Sequence, residues 1–453
     1  MISGKKLSLV FLSTLSFSAT QGLAEPPSYE QLSQRVRELE AKMESIESQK
    51  ITQQEQDATV QRVLDDATRR SQLLANNGAL TAGYDNGFFI QTEDGAFVLR
   101  PSVNAQFRNV TTFRQNAKGG GSEDDIQNGF DWRRVRFRFD GNVFSKDLTY
   151  SFVWDTNRQG GAVTLLDAWV QYQFQKDWAL KLGQFKASVF QERNLSGFAQ
   201  LAVDRSLLDS LIAGAIIDRV QGVSVIYGGR GSNPLRAELA FHDGANSRNT
   251  NFQDTFDSST PPDGIDDRTD WGAAGRVEWK PFGDWKSYKD FSAIGNKTDL
   301  LVIGAGGNID GAPSANNFYG TVDAQWETAG GLSVFGGLFV RNRDRRGAED
   351  FTDYGGLIQA GYLLNKQWEV FGRYDVTKFD EDSVAPGLED TISEFTAGVN
   401  YYLGENGKYQ HRAKITFDLV YLPDGSPSNQ DSLGILGSTE EEWVLRGQFQ
   451  LIL

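Results

Sequence analysis

From Gly78 to the end of the chain, apolar residues recur at every second position, in segment after segment separated by turn residues. Residues 131–144 show the pattern most sharply. Arg134, Arg136 and Arg138 share one parity, and Val135, Phe137 and Phe139 share the other. Successive side chains of a strand point to opposite faces, so this segment has a cationic face and a bare apolar face. A soluble β-sandwich must cover the apolar face with a second sheet. In a membrane barrel, lipid covers it.

Sixteen segments carry this period: 97–114, 131–143, 148–157, 164–175, 178–187, 218–228, 234–242, 270–280, 299–308, 318–327, 331–342, 354–363, 367–379, 391–402, 410–421 and 442–453. Their connections alternate. Ser145-Lys146-Asp147, Lys176-Asp177, Ala329-Gly330 and Asn365-Lys366 are tight turns, whereas 188–217 and 243–269 are long links. The 281–297 link is a long exception on the short side. Short turns at one end and long loops at the other predict an all-β transmembrane β-barrel of sixteen antiparallel strands. Trp178, Trp279, Trp326 and Trp368 lie beside short turns on the apolar parity, and Trp154, Trp271 and Trp443 lie near long-loop ends on the same parity. Two such bands are the expected interfacial girdles.

The N-terminal region is different. Lys5 and Lys6, an apolar run from Leu7 to Phe17, and Gly22-Leu23-Ala24 make a secretory signal peptide over 1–24. Its apolar core is too short to span a bilayer. Residues 25–77 contain neither proline nor glycine after Ser28, and Tyr29, Leu32, Val36, Leu39, Met43 and Ile46 follow a 3-4 spacing. That spacing predicts an N-terminal α-helical coiled coil, with polar Lys50, Gln53 and Asp57 in mid-register. A single helix docked on the rest is the alternative. An even strand count places the coil in the periplasm and the barrel over 78–453.

Composition narrows the function. The formal net charge of -15 argues against nucleic acid as a partner. There is no cysteine, so architecture rather than disulfides must hold the exported chain. His242 and His411 have no nucleophile or metal-ligand partner at an instructive spacing and read as solvated surface residues. Gly304-Ala305-Gly306-Gly307 opens no helix and lacks the third glycine of a dinucleotide loop. Asp263-Gly264-Ile265-Asp266-Asp267 lacks the closing acid of a calcium loop. No enzyme, cofactor or metal is implied.

Three pieces carry a family resemblance. They are Gly87-Phe88-Phe89-Ile90 with Asp94 to Arg100; Arg133-Arg134-Val135-Arg136-Phe137-Arg138 before Asp140-Gly141; and Leu182-Gly183-Gln184-Phe185-Lys186 running on to Gln191-Glu192, preceded by Asp167-Ala168-Trp169-Val170. In order and spacing they resemble the phosphate-selective porin O and P family. The resemblance implies a trimeric outer-membrane barrel passing small solutes, phosphate or polyphosphate among them. Its surroundings would be outer-membrane lipid and lipopolysaccharide.

Parity assigns Arg100, Arg108, Arg134, Arg136 and Arg138 to the lumen, with Arg412, Lys414 and Arg446 from the last two strands. Closure makes these strands neighbours, so the cations form one wall with few counter-charges, chiefly Asp140 and Asp418. That wall is either an anion-attracting ladder or a set of cations satisfied by inward acids. The 188–217 link is the third long loop, the one that sets the constriction in porins. It carries Glu192, Arg193, Asp204, Arg205 and Asp209 around Leu207, Leu208, Leu211 and Ile212, with Lys186 at its border. So much apolar surface requires either folding into the barrel or packing over a trimer axis. Lys186 faces the pore if Gly183 forms a bulge. An anion-preferring porin is the leading expectation. A non-selective general porin, or a barrel that tethers the outer membrane to peptidoglycan through the coil, is the alternative.

Overall fold

The computed structural model describes residues 28–74, 80–118, 125–156, 161–213, 218–244, 271–311, 315–345, 349–381 and 389–453. The expected signal peptide and the acidic stretch Asp263–Asp267 lie outside the described residues. The first described element is α1 (Tyr29–Leu74), which belongs to a compact unit of its own. With no helix breaker in its interior it runs uninterrupted. Leu32, Val36, Leu39 and Met43 on its seam are each more than half exposed.

The second unit, Leu80–Leu453, is a barrel. A short hairpin comes first, β1 (Leu80–Tyr84) and β2 (Phe88–Thr92). Sixteen long strands follow. They are β3 (Val98–Arg114), β4 (Asp125–Asn142), β5 (Leu148–Thr156), β6 (Val163–Gln175), β7 (Trp178–Lys186), β8 (Arg219–Gly228), β9 (Leu235–His242) and β10 (Trp271–Phe282). The second half comprises β11 (Leu300–Gly311), β12 (Ala315–Glu327), β13 (Leu332–Arg345), β14 (Phe351–Leu363), β15 (Trp368–Lys378), β16 (Thr391–Tyr402), β17 (Ala413–Leu422) and β18 (Glu442–Ile452). Each pairs antiparallel with the next. β18 returns to β3, from Glu442 opposite Arg114 to Ile452 opposite Asn104, and the sixteen-stranded ring is closed.

The sixteen strands correspond to the sixteen periodic segments, with differences at their edges. β4 begins at Asp125 rather than 131. β17 begins at Ala413, because 410–412 form a 3-10 turn that places Arg412 in a link instead of a strand. The β1–β2 hairpin, too short to show a period, joins β3 only through Ile90 opposite Leu99 and Gln91 opposite Val98.

Burial is inside out relative to a soluble protein. Leu239, Leu338, Ile358 and Phe417 are among the most exposed residues of the strands, whereas Arg108, Arg446 and Lys414 are fully buried. Exposed Trp178, Trp279, Trp326 and Trp368 ring the short-turn end, where Trp178 packs on Tyr227 and Trp368 on Tyr401. At the long-loop end Trp271 is exposed and Trp443 stacks on Tyr421 at 3.9 Å. An apolar outer face edged by aromatics fits lipid.

The barrel interior is not an open tube. Phe190, Leu195, Leu201, Leu208 and Ile212 of the 188–217 link form an apolar core with inward Tyr319, Phe335, Phe339, Leu357 and Phe371 of β12–β15. Glycines make room for it. A side chain at Gly306 would meet the Val189 carbonyl, and one at Gly355 would meet Leu208. Replacing Gly306 with Val should therefore lift the link off the β11 wall. Because the path runs on the opposite, β3–β8 side of the link, single-channel conductance should fall, while the folded barrel keeps its normal heat-modifiable migration on gels.

Candidate pore and constriction

Charged and polar side chains from the wall hold the inserted link by its backbone. Arg276 and Thr321 donate to the Val189 carbonyl, at 2.9 and 3.0 Å. Asn400 donates to the Leu201 carbonyl and Lys414 to that of Gln200. Gln450 reaches Phe198 and Gln106 reaches Gly197. In the other direction the Val203 and Leu208 amides donate to Asp418 and Asp375. An inserted loop carries backbone groups that water cannot satisfy, and these wall residues replace water. Within the link, Glu192 accepts from the Ser206 amide and hydroxyl, and Arg193 pairs with Asp209 at 2.7 Å.

Asp204 is the electrostatic hub. Its carboxylate is fully buried and pairs with Arg108 at 2.7 Å, Arg134 at 2.8 Å and Arg133 at 2.9 Å. Burial alone would raise this carboxyl; the charges of Arg133, Arg134 and Arg108 outweigh burial and hold it well below the usual carboxylate range. Arg133 reaches the hub through a bulge. Gln106 opposes Arg134 and Phe107 opposes Trp132, which leaves Arg133 as the extra residue, so both arginines turn inward. Asp131 then also faces inward and pairs with Arg108 at 2.8 Å.

Three cavities share lining residues and trace a path along the β3–β8 side. One of about 220 Å³ is lined by Arg133, Arg134, Arg136, Lys186, Arg193, Arg205 and Arg219, against Asp204, Asp209 and Asp218. The next, of about 440 Å³, has Arg136, Arg138, Lys181, Lys186, Arg219 and Arg236 against Asp167, Glu238 and Glu278. Arg136, Lys186 and Arg219 line both, and form the neck between them. A third cavity of about 610 Å³ shares Asn104, Arg138, Ser196 and Phe198 with the second, and is edged by the β1–β2 hairpin. At the neck Arg136 pairs with Asp155 at 3.1 Å, and Arg219 with Asp218 and Asp167. Lys186 has no carboxylate within ion-pair distance among the described residues. Its ammonium donates to the carbonyls of Arg193, at 2.8 Å, and Leu195, at 3.1 Å, at the end of the short helix α2 (Gln191–Asn194).

The expected cations thus fall into separate groups. Arg108 and Arg134 join the Asp204 hub, and Arg446 pairs with Asp418 at 2.7 Å, all buried against the inserted link. Arg136 lies at the neck, while Arg138 pairs with Asp140 and lines the two larger cavities. Arg100 lies over the Phe89 ring and donates to the Asp85 carbonyl, and Arg412 lies over Tyr84, both at the hairpin. Arg205 donates to the Glu192 and Leu195 carbonyls.

Three readings need correction. Counter-charges on the basic wall are not few: Asp131, Asp155 and Asp204 join Asp140 and Asp418. Gly183 forms no bulge; it takes φ +120°, with the Ala168 carbonyl where a Cβ would sit, and the ladder stays in register on either side of it, the shift lying at Gln173–Gln175 instead. His242 and His411 are buried rather than solvated. Arg133 and Arg219 were missed. The cue for Arg133 was a phase break, since outward Trp132 and Val135 are an odd three residues apart.

Breaking a buried ion pair by removing one partner costs about 3–5 kcal/mol. Asp204→Asn should therefore lower the thermal midpoint of the folded barrel. Arg108→Gln added to it should cost less than the two single changes summed, because they share one network. A double-mutant cycle by calorimetry checks this.

Residues 103–264 match the family described as phosphate-selective porin O and P. No curated protein sequence matches the chain. Among solved structures, the fold is similar to an anion-selective porin from Comamonas acidovorans, with 13% identity over 78% of this chain and 100% of that chain, at a TM-score of 0.53. It is also similar to OprB of Pseudomonas putida, with 9% identity over 78% of this chain and 94% of that one, at 0.52. OmpF of Salmonella typhi, in complex with daunomycin, gives 14% identity over 82% of this chain and 100% of that one, at 0.51. At such identities the likeness is one of fold. Residues 103–264 thus carry the signature of the phosphate-selective porin O and P family, and the closed sixteen-stranded barrel around them has the fold of outer-membrane porins.

Proposed function

We propose that the barrel passes small hydrophilic anions by passive diffusion along the β3–β8 path. The observation that carries this reading is the neck, where Arg136, Lys186 and Arg219 face a path whose linings hold more cations than acids on both sides. Arginine keeps its charge at any relevant pH and offers a fork of donors to oxyanions. A narrow lumen in a low-dielectric wall concentrates that field and raises the local anion concentration. The Comamonas neighbour is anion-selective, in the same direction. The family description of residues 103–264 supports phosphate-like anions among them.

The assembly proposed with it is a homotrimer in outer-membrane lipid and lipopolysaccharide, exported by cleavage after Ala24. Residues 25–77 would form its periplasmic coiled coil. The exposed Leu32, Val36, Leu39 and Met43 seam supports association of α1 with copies of itself. At a rise of about 1.5 Å per residue, such a helix reaches tens of ångströms, which supports tethering to peptidoglycan as a second role.

Reversal potentials across a KCl gradient test the selectivity. Chloride should permeate more readily than potassium, and Arg136→Gln with Arg219→Gln should lower the ratio several-fold, with the larger effect at low salt where screening is weakest. Cation preference in the unaltered channel refutes the reading. Deleting residues 25–77 should leave conductance unchanged and dissociate the trimer more readily on heating.

A further inference from the structure

The 283–299 link joins two strands at the short-turn end, yet it does not turn tightly. It enters the barrel, where Phe291 and Ile294 are buried, and the Phe291 amide donates to the Ala199 carbonyl of the inserted 188–217 link. Its Tyr288 lines the central cavity, and Lys289 and Asp290 line the cavity at the short-turn mouth. A segment in this position narrows the exit of the path.

What it docks onto is unusual within this barrel. Three buried carboxylates meet there: Asp290 on the link, Glu327 at the end of β12 and Glu369 on β15. Ser292 joins two of them, its amide donating to Asp290 at 3.0 Å and its hydroxyl to Glu369 at 2.6 Å. Asn296 donates to Glu327, and Gln325 ties Glu327 to the Asp290 carbonyl, at 2.7 and 2.6 Å. Asn400 and Tyr402 complete the shell around Glu369. Elsewhere in the lumen, Asp204, Asp353, Glu394 and Asp418 each pair with an arginine. Among the described residues, none of these three has a lysine or arginine within ion-pair distance. The one basic group that close is His411, 3.8 Å from Asp290, and neither of its ring nitrogens has a hydrogen-bond partner. Lys414, from β17, spends its ammonium on the Gln200 carbonyl. On the β10 side, Tyr288 meets Arg276 and Glu278, and Arg276 also pairs with Asp323.

We propose that the 283–299 link is a proton-controlled gate at the short-turn mouth, docked when the Asp290, Glu327 and Glu369 carboxyls are protonated and released when they ionise together. Burying ionised carboxylates without cations is costly, and their mutual repulsion adds to the cost. Proton uptake therefore favours docking. Burial pushes the Asp290 carboxyl up to about 7. A group raised on docking stabilises the docked state fully below its ordinary value, and that stabilisation is lost as the pH rises through the raised one. His411 opposes this. Burial, then Lys414 and Lys289, hold its imidazole well below the ordinary value, so its penalty develops only as the pH falls below about 6.5.

The proposal rests on the barrel being a conducting channel. The test is single-channel conductance of the full-length protein in planar bilayers from about pH 5.5 to 8.5, where a change of about twofold, rising with pH and steepest near neutrality, is expected. The triple variant Asp290→Asn, Glu327→Gln, Glu369→Gln should stay at the low level at every pH. A variant with residues 284–298 replaced by a tight turn should stay at the high level and keep the fold-independent part of the test if the triple variant fails to assemble. A pH-independent unaltered channel, or a step that survives in the shortened-link variant, overturns the gate. A barrel that conducts at no pH overturns the channel reading instead.

Discussion

Lipid offers no hydrogen bonds. Everything else in this molecule follows from the need to satisfy each strand's backbone within the membrane. A sheet can do this only by closing, and β18 meets β3 with the ladder continuous from Glu442 to Ile452. Closure then dictates the alternation. The outer parity must be apolar, and the inner parity is free to carry the arginines, acids and amides that a water-filled or loop-filled lumen requires.

The same rule acts a second time inside the barrel. A loop drawn into the lumen brings its own amides and carbonyls away from bulk water, and wall side chains must receive them. Arg276, Asn400, Lys414 and Gln450 do so from one side, while Asp204 answers three guanidiniums from the other. Many of the lumen's charges are therefore part of its construction. Those proposed to act on a passing solute are concentrated at the neck, where Lys186 donates to carbonyls and, among the described residues, has no carboxylate within ion-pair distance. The basic wall is a paired lattice and, over a short stretch, the proposed electrostatic funnel.

Much of the barrel was legible from residue order because a period of two survives local noise. Turn residues such as Ser145-Lys146-Asp147 and Asn365-Lys366 punctuate it. The lumen was harder to read, for physical reasons. Parity says which way a side chain points but not what it meets, so Phe335, Phe339 and Phe371, inward yet apolar, gave no hint that a loop would pack on them. A bulge shifts phase by one residue, which hid Arg133 beside an otherwise regular run of arginines. His411 looked solvated because it lies near a turn, with no partner at an instructive spacing. Asp290 of the distant 283–299 segment and Tyr402 of β16 lie beside it, neighbours that no local pattern announces.

The glycines beneath the inserted loop have a wider consequence. Gly306 and Gly355 form a bare bed on the wall facing β3–β8, and the loop's depth is set by how little stands there. Calibre is thus controlled from one side of the lumen and charge from the other. A methyl group added to the bed would shift the loop without touching an arginine, and an arginine exchanged at the neck would change the field without moving the loop. Sieving by size and sorting by charge are separable traits in this barrel, open to independent adjustment as the available solutes change.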